Sequence, residues 1–380
     1  MIWVSSIILI AYCVALGLLV VGYFLLNRSK INLAEAKLGF SIVIPFRNED
    51  HHLPNLLKSI ERLDYPSHLV EIIFVNDASE DNSVALIEEF ISTSTSAQRY
   101  SLQRIENVRA TQSPKKDAIL TGIEMSKHPW IVTTDADCQL PRQLLKSYNT
   151  HILKFNSAMV CGPIFYSANR SLLQQFQQFD GISLQLVAMG GFGLGHPLLC
   201  NGANMAYLKS AFYAVNGFSE NDHIASGDDI FLLEKMRRKF PNRVTFLNDS
   251  RAIVTTQPQS SWKRLVWQRI RWASKTKLQK NGATQLLGVI SFAVNLLVVL
   301  GAMCIPAFPS ALFWWAPLLC FKLIADSVAV ISVSGFFGKR ISIFAFLGCG
   351  LLYPSILTVV VLGSIRGKYR WKGRAYQKIT

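Results

Sequence analysis

The stretch Trp130-Ile131-Val132-Thr133-Thr134-Asp135-Ala136-Asp137-Cys138 decides the reading of this 380-residue chain. Its first half is an apolar, β-branched run of the kind buried in a parallel sheet. Its second half leaves that run with two carboxylates one residue apart. Two negative charges so close repel unless a cation joins them. An oxygen-only pair suits Mg2+ or Mn2+, which also bind phosphates. An acidic solvated turn is the other reading of the same two residues.

Working outward, similar apolar runs stand at 41–45 (SIVIP) and 71–75 (EIIFV), with further strand-like runs at 158–166 and 243–247. Helical patterns lie between the first three strands, near 51–62, 81–92 and 114–126. Strand, helix, strand in that order predicts an α/β domain with a mostly parallel sheet and right-handed crossovers. Ligands of such sheets sit at the carboxyl ends of the strands. The acidic motifs fall at those ends. The first strand runs into Pro45-Phe46-Arg47-Asn48-Glu49 and the second into Val75-Asn76-Asp77-Ala78-Ser79. Asp77 reads either as a helix N-cap or, if Asp81 or Ser79 caps instead, as an acceptor for a base or ribose. Gly227-Asp228-Asp229 precedes a helix at Ile230–Phe240. These acids read as a cap favoured by the helix dipole, or as a general base beside a hydroxyl.

The net charge of +15 is not spread evenly. Residues 31–254 hold 21 Lys/Arg against 23 Asp/Glu, and outside them a single acid, Asp326, meets 18 basic residues. That excess borders apolar runs, which reads as membrane topology and anionic headgroup contact and excludes a nucleic-acid footprint. Residues 1–26 carry no charge and make about 39 Å of helix, enough to span a bilayer core. No basic region precedes them and no A-x-A site closes them, so a cleaved signal is not expected. The basic residues Arg28 and Lys30 follow, which places residue 27 onward in the cytoplasm. Two more helices are expected near 284–305 and 311–333, the second with Lys322 and Asp326 paired one turn apart. Pro354 interrupts the uncharged run 341–365. Three full crossings after residue 280 would export the basic tail 366–380, against the positive-inside rule. A broken or re-entrant segment at 341–365 with a cytoplasmic tail resolves the conflict. Between these parts, Trp262–Lys280 holds seven basic and no acidic residues, a basic amphipathic helix suited to a membrane interface. The seven cysteines form no CxxC pair and read as buried thiols in a reducing compartment.

In order, PFRNE at 45–49, VNDAS at 75–79, DADC at 135–138, GDD at 227–229 and QRIRW at 268–272 resemble the membrane-integral branch of the inverting family 2 glycosyltransferases. Lys115, three residues before Ala118-Ile119-Leu120-Thr121-Gly122, and Asn201-Gly202-Ala203-Asn204-Met205-Ala206-Tyr207 are two further family-like pieces. The resemblance implies a Rossmann-like GT-A domain at 38–258, flanked by a transmembrane helix at 1–26, the interface helix at 259–280 and a transmembrane region at 284–365. It implies a nucleotide-sugar donor, expected to be a UDP-sugar, and a divalent Mg2+ or Mn2+. Pro45, Glu49 and Asp77 would hold the nucleoside, and Lys115 would assist donor binding. Asp135 would lie near ribose and diphosphate and join Asp137 at the metal. Asp229 would be the base, with Asp228 as the alternative. Gln268, Arg271 and Trp272 would close over diphosphate and acceptor. The helix arrangement looks most like ceramide glucosyltransferases and bacterial carotenoid-type enzymes, whose WKGRxY tail is similar to Trp371–Tyr376. The implied activity is transfer of one sugar to a lipid or lipid-linked acceptor at a bacterial inner membrane. A processive exopolysaccharide synthase and a non-catalytic membrane scaffold of the same fold are the alternatives.

Overall fold

A computed structural model describes residues 2–26, 32–167, 171–224, 226–338, 342–366, 368–371 and 374–377. The chain divides into two compact units. One comprises Arg28–Tyr166 and Cys200–Gln257; the other comprises Met1–Asn27, Ser167–Leu199 and Pro258–Thr380. The sequence reading runs one domain through 38–258, whereas the contacts group 167–199 with the apolar helices.

The first unit is built on ten strands: β1 (Phe40–Phe46), β2 (Val70–Asn76), β3 (Ser101–Glu106), β4 (Trp130–Thr133), β5 (Cys138–Gln139), β6 (Met159–Cys161), β7 (Ile164–Tyr166), β8 (Met205–Leu208), β9 (Val244–Phe246) and β10 (Val254–Thr256). Seven form one sheet in the order β3-β2-β1-β4-β8-β6-β9. β1, β2, β3 and β4 are parallel, with Ile42 opposite both Ile72 and Val132. β8 runs antiparallel to β4 and β6. Every residue of β2 and β4 is buried, which is why their sequences are continuous apolar runs rather than alternating ones.

The sheet register positions the candidate site. Asp77 leaves β2 immediately, and Asp135 leaves β4 two residues beyond Thr133. Because β8 is antiparallel, its first residue Met205 pairs with Thr133, so the turn Asn201–Asn204 arrives at the same edge. A smaller sheet, β5-β10-β7, fixes the chain just past Asp137 by pairing Cys138 with Thr256. The run 158–166 is two strands in two sheets, divided at Gly162-Pro163, because proline cannot continue a ladder.

Among its described residues the second unit has four helices long and apolar enough to cross a membrane: Trp3–Leu25, Gly282–Cys304, Pro309–Phe337 and Phe344–Ile365. A fifth helix, Leu172–Gly193, packs on the first. A Cβ at Gly193 would lie 1.8 Å from the Gly22 carbonyl oxygen, so only glycine permits this backbone contact. Lys322 and Asp326 are paired at 2.7 Å, and Tyr12 donates to Asp326 at 2.6 Å. An ion pair of this kind neutralises charge that apolar surroundings would otherwise penalise.

The expected break at Pro354 is not present. Ile343–Arg366 is one continuous helix with Pro354 inside it. Proline removes one helical hydrogen bond, and neighbouring helices make that tolerable in an apolar bundle. Beyond it, Lys368–Trp371 and Arg374–Gln377 pair as an antiparallel hairpin. Of the expected tail motif and basic residues, Lys372, Gly373 and Lys378 lie outside the described residues, as do Arg28, Lys30, Lys339 and Arg340.

Candidate active site

The loops after β1 and β2 are laced together. Arg47 Nη1 donates to the carbonyls of Asp77 (2.8 Å) and Ala78 (2.6 Å), and its Nη2 pairs with Glu80 at 2.9 Å. Ser83 Oγ accepts from the Glu49 amide at 2.8 Å, and Asp81 accepts from the amides of Asp50 and Ser83. Asp81 therefore supports the start of the helix Ser83–Thr93, one of the two arrangements that release Asp77 from capping. Burial opposes ionisation of Asp81, but these hydrogen bonds outweigh it and hold its carboxyl below the usual range. Pro45 pairs with Val75 inside the sheet.

Asp77 is 7% exposed and accepts hydrogen bonds from Asn107 Nδ2 (2.8 Å) and Arg109 Nη1 (3.3 Å). Arg109 also lies 3.6 Å from Asp117, whose carboxylate accepts from Thr111 Oγ1 at 2.7 Å and from the Thr111 amide at 3.0 Å. Asp117 sits in the first turn of the helix Pro114–Met125, where the helix dipole favours a negative charge.

Lys115, two residues earlier, joins the two remaining acidic motifs. Its ammonium is 2.7 Å from Asp135 and 3.2 Å from Asp228. Burial alone would depress this lysine's pKa; the charges of Asp135 and Asp228 outweigh it and raise the pKa instead. Asp229 accepts from the Ile230 amide at 2.8 Å and from the Gly202 amide at 3.4 Å. It is thus the N-cap of the helix Ile230–Lys239 while its side chain remains half-buried at the edge of the site. Gly202 is required by the close approach: a Cβ there would lie 2.7 Å from Asp228 Oδ2. Its carbonyl is fixed by Thr133 Oγ1 at 2.9 Å.

Among the described residues, no three His, Cys, Asp or Glu side chains form a group able to hold a metal by themselves. Asp135 and Asp137 still fit a hard divalent cation. They offer two oxygen donors at one strand end, and such ions take one or two carboxylates and complete their shell with phosphate and water oxygens.

One unit therefore brings Lys115, Asp135, Asp228 and Asp229 together at the sheet edge where Pro45, Glu49, Asp77 and Asp137 also lie. Gln268, Arg271 and Trp272 belong to the other unit, on the helix Trp262–Ala273. There Arg269 stacks on Trp272 with its guanidinium carbon 4.1 Å from the ring centre. Arg269 also pairs with Asp180 at 2.5 Å and donates to Gln268 at 3.2 Å. Asn107, Arg109 and Asp117 were not legible as site residues. Asn107 and Arg109 meet Asp77 from 30 and 32 residues away, Asp117 holds the loop at Thr111 and Arg109, and no motif spacing marks them.

The glycosyl transferase family 2 model matches residues 41–213, and the model for glycosyl transferase family group 2 matches residues 130–361. This chain belongs to glycosyl transferase family group 2. The probable glycosyltransferase YdaM of Bacillus subtilis (strain 168) is 26% identical over 249 residues, 61% of this chain and 54% of that protein. The undecaprenyl-phosphate 4-deoxy-4-formamido-L-arabinose transferase of Pseudomonas savastanoi pv. phaseolicola is 32% identical over 102 residues, 27% of this chain and 28% of that protein. The chain thus spans about half or less of the length of these curated relatives. The mannosyltransferase PcManGT of Pyrobaculum calidifontis, solved with GDP-Man and Mn2+, superposes with a TM-score of 0.55 at 17% identity, covering 95% of this chain and 98% of that one. This chain has the GT-A fold, a mixed, mostly parallel sheet with apolar helices at both ends of the chain.

Proposed function

We propose that this glycosyltransferase moves a single sugar from a nucleotide-sugar, a UDP-sugar in the first instance, to a lipid or lipid-linked acceptor, with inversion at the anomeric carbon. The observation that carries the reading is the ammonium of Lys115 between Asp135 and Asp228, with Asp229 beside it. It puts an ammonium that can face a diphosphate beside carboxylates that can face an acceptor. Four helices fit to cross a membrane give the site a lipid context, and relatives named for undecaprenyl-phosphate substrates favour the same class.

In this reading Asp77, steadied by Asn107 and Arg109, accepts from the nucleoside. Pro45 and Glu49 line the nucleoside's side of the loop. Asp135 and Asp137 would hold a divalent cation, which would supply positive charge to the diphosphate. Lys115 adds a second positive charge there; for Gln268, Arg271 and Trp272 we propose the diphosphate and acceptor roles that the family resemblance implies. Asp229 takes the proton of the acceptor hydroxyl on the opposite face of the sugar.

Asp229→Asn tests this directly, because asparagine also caps a helix but is not basic. Turnover should fall roughly a hundredfold or more while UDP affinity stays unchanged. A phosphate acceptor is the second reading, favoured by the undecaprenyl-phosphate relatives. A phosphate oxygen is already ionised at neutral pH, so Asp229→Asn would then leave turnover within a few-fold. Loss of UDP binding in Asp229→Asn would remove Asp229 from the base role altogether.

A further inference from the structure

The residue after Lys115 carries a second buried charge. Lys116 is 2% exposed, yet a lysine is seldom buried without dedicated partners. Its ammonium donates to the carbonyl oxygens of Asn221 (2.5 Å) and Ile224 (3.1 Å), more than a hundred residues away. The ring of Phe231 lies 5.2 Å from the same nitrogen, within cation–π range.

Those carbonyls belong to the loop that delivers Asp228 and Asp229. The loop is irregular: Asn216, Gly217, Glu220 and Gly227 all have left-handed backbone angles. A backbone of this kind makes few ladder hydrogen bonds, so its carbonyls need partners from outside. Lys235 serves the carbonyls of Gly217 and Ser219, and Lys239 serves that of Ala214. Both lie on the helix that follows the loop. Lys116 serves the half of the loop adjoining Asp228, and it comes from the helix that also carries Lys115 and Asp117.

We infer that Lys116 is a positioning residue that fixes the Asn221–Ile224 loop segment and thereby sets the placement of Asp228 and Asp229 toward the acceptor. The first turn of the helix Pro114–Met125 divides three tasks among consecutive residues. Asp117 holds the loop that brings Arg109 to Asp77, Lys115 pairs with Asp135 and Asp228, and Lys116 anchors the loop bearing the candidate base.

The inference rests on the proposed role of Asp229 for its kinetic arm only; the anchoring itself is read separately. Lys116→Met removes the charge and keeps the stem, and Lys116→Arg keeps charge and donors. Hydrogen exchange of the loop amides, UDP affinity and turnover are measured on the full chain in detergent for both. Lys116→Met should lose protection across 221–229, lose turnover by about tenfold or more, and hold UDP affinity within twofold. Lys116→Arg should restore most of the protection and turnover. If Lys116→Met does not fold, Lys116→Gln carries the same comparison, since it keeps a donor without the charge. Unchanged loop protection, or UDP affinity falling as far as turnover, overturns the inference. Lost protection with turnover intact overturns the kinetic arm, and if Asp229→Asn is also fully active, the base assignment falls while the anchoring stands.

Discussion

Asp135 and Asp137 project from the end of an apolar strand at a cost that something must offset, and Lys115 offsets part of it at Asp135. The cation expected beside Asp137 has a measurable signature. UDP affinity should be at least tenfold higher with Mn2+ than with EDTA in the wild-type chain, and Asp137→Asn should abolish most of that difference. Equal affinities with Mn2+ and EDTA in the wild type would end the metal assignment. The acids of this site were legible because each follows a strand-like run or precedes a helical one, positions where local sequence alone marks an exposed edge. Lys116 and Arg109 were not. Lys116 reads as one more basic residue on a helix start until the fold brings Asn221 to it, and a contact spanning 105 residues leaves no trace in local spacing. Asp229 illustrates the opposite case: the cap reading holds, and the same side chain also accepts from the Gly202 amide beside Lys115, where the proposed base would stand.

Among the elements, β1, β2 and β4 were readable because burial on both faces writes an apolar run. β3 was not, because Ser101–Glu106 is an edge strand of mixed polarity. The helix Leu172–Gly193 escaped for a related reason: its glutamines and glycines suppress the usual apolar stripe, and its packing on the first helix uses glycine contacts instead. The helix Leu144–Phe155 carries a further consequence. His151 is 4% exposed and meets Thr245 of β9 at 2.9 Å. Burial, helped by the nearby charge of Lys154 and opposed by Asp249, lowers its pKa to about 4. The folded state therefore prefers the neutral imidazole. The stability that this preference protects is complete above the unfolded pKa near 6.5 and is lost as pH falls toward 4. The loss between pH 7 and pH 5 should be about 2 kcal/mol, visible as a lower melting temperature of the domain. His151→Gln should flatten that pH dependence; an equal slope in the variant would show that other groups carry it.

For the whole molecule, the question is which side of the membrane receives the basic tail. The sequence conflict was to be resolved by a break at Pro354, and the helix is unbroken. The membrane unit offers a different route to the same outcome. The helix Trp262–Ala273 precedes Gly282–Cys304 and so stands at the point from which the carboxyl-terminal helices depart. The far end of Ile343–Arg366 returns to it: a Cβ at Gly363 would lie 2.6 Å from Ile270 Cδ1, and the strand Lys368–Trp371 packs beside the same helix. A chain that returns to its starting face has crossed an even number of times. On this reading the helices after residue 280 make two full crossings, and the third lies at an angle or along the interface. That placement would leave the described basic residues Arg366, Lys368, Arg370 and Arg374 on the face with the basic helix, as the positive-inside rule requires. With a nucleotide-sugar donor, as proposed above, that face would be the cytoplasm. The expected result is concrete. With the seven native cysteines replaced and one introduced by Gln377→Cys, a membrane-impermeant maleimide should label the chain only after the cells are permeabilised. Labelling of intact cells would put the tail outside and require three full crossings. The packing of Gly363 on Ile270 would then have to occur within the membrane rather than at its cytoplasmic face.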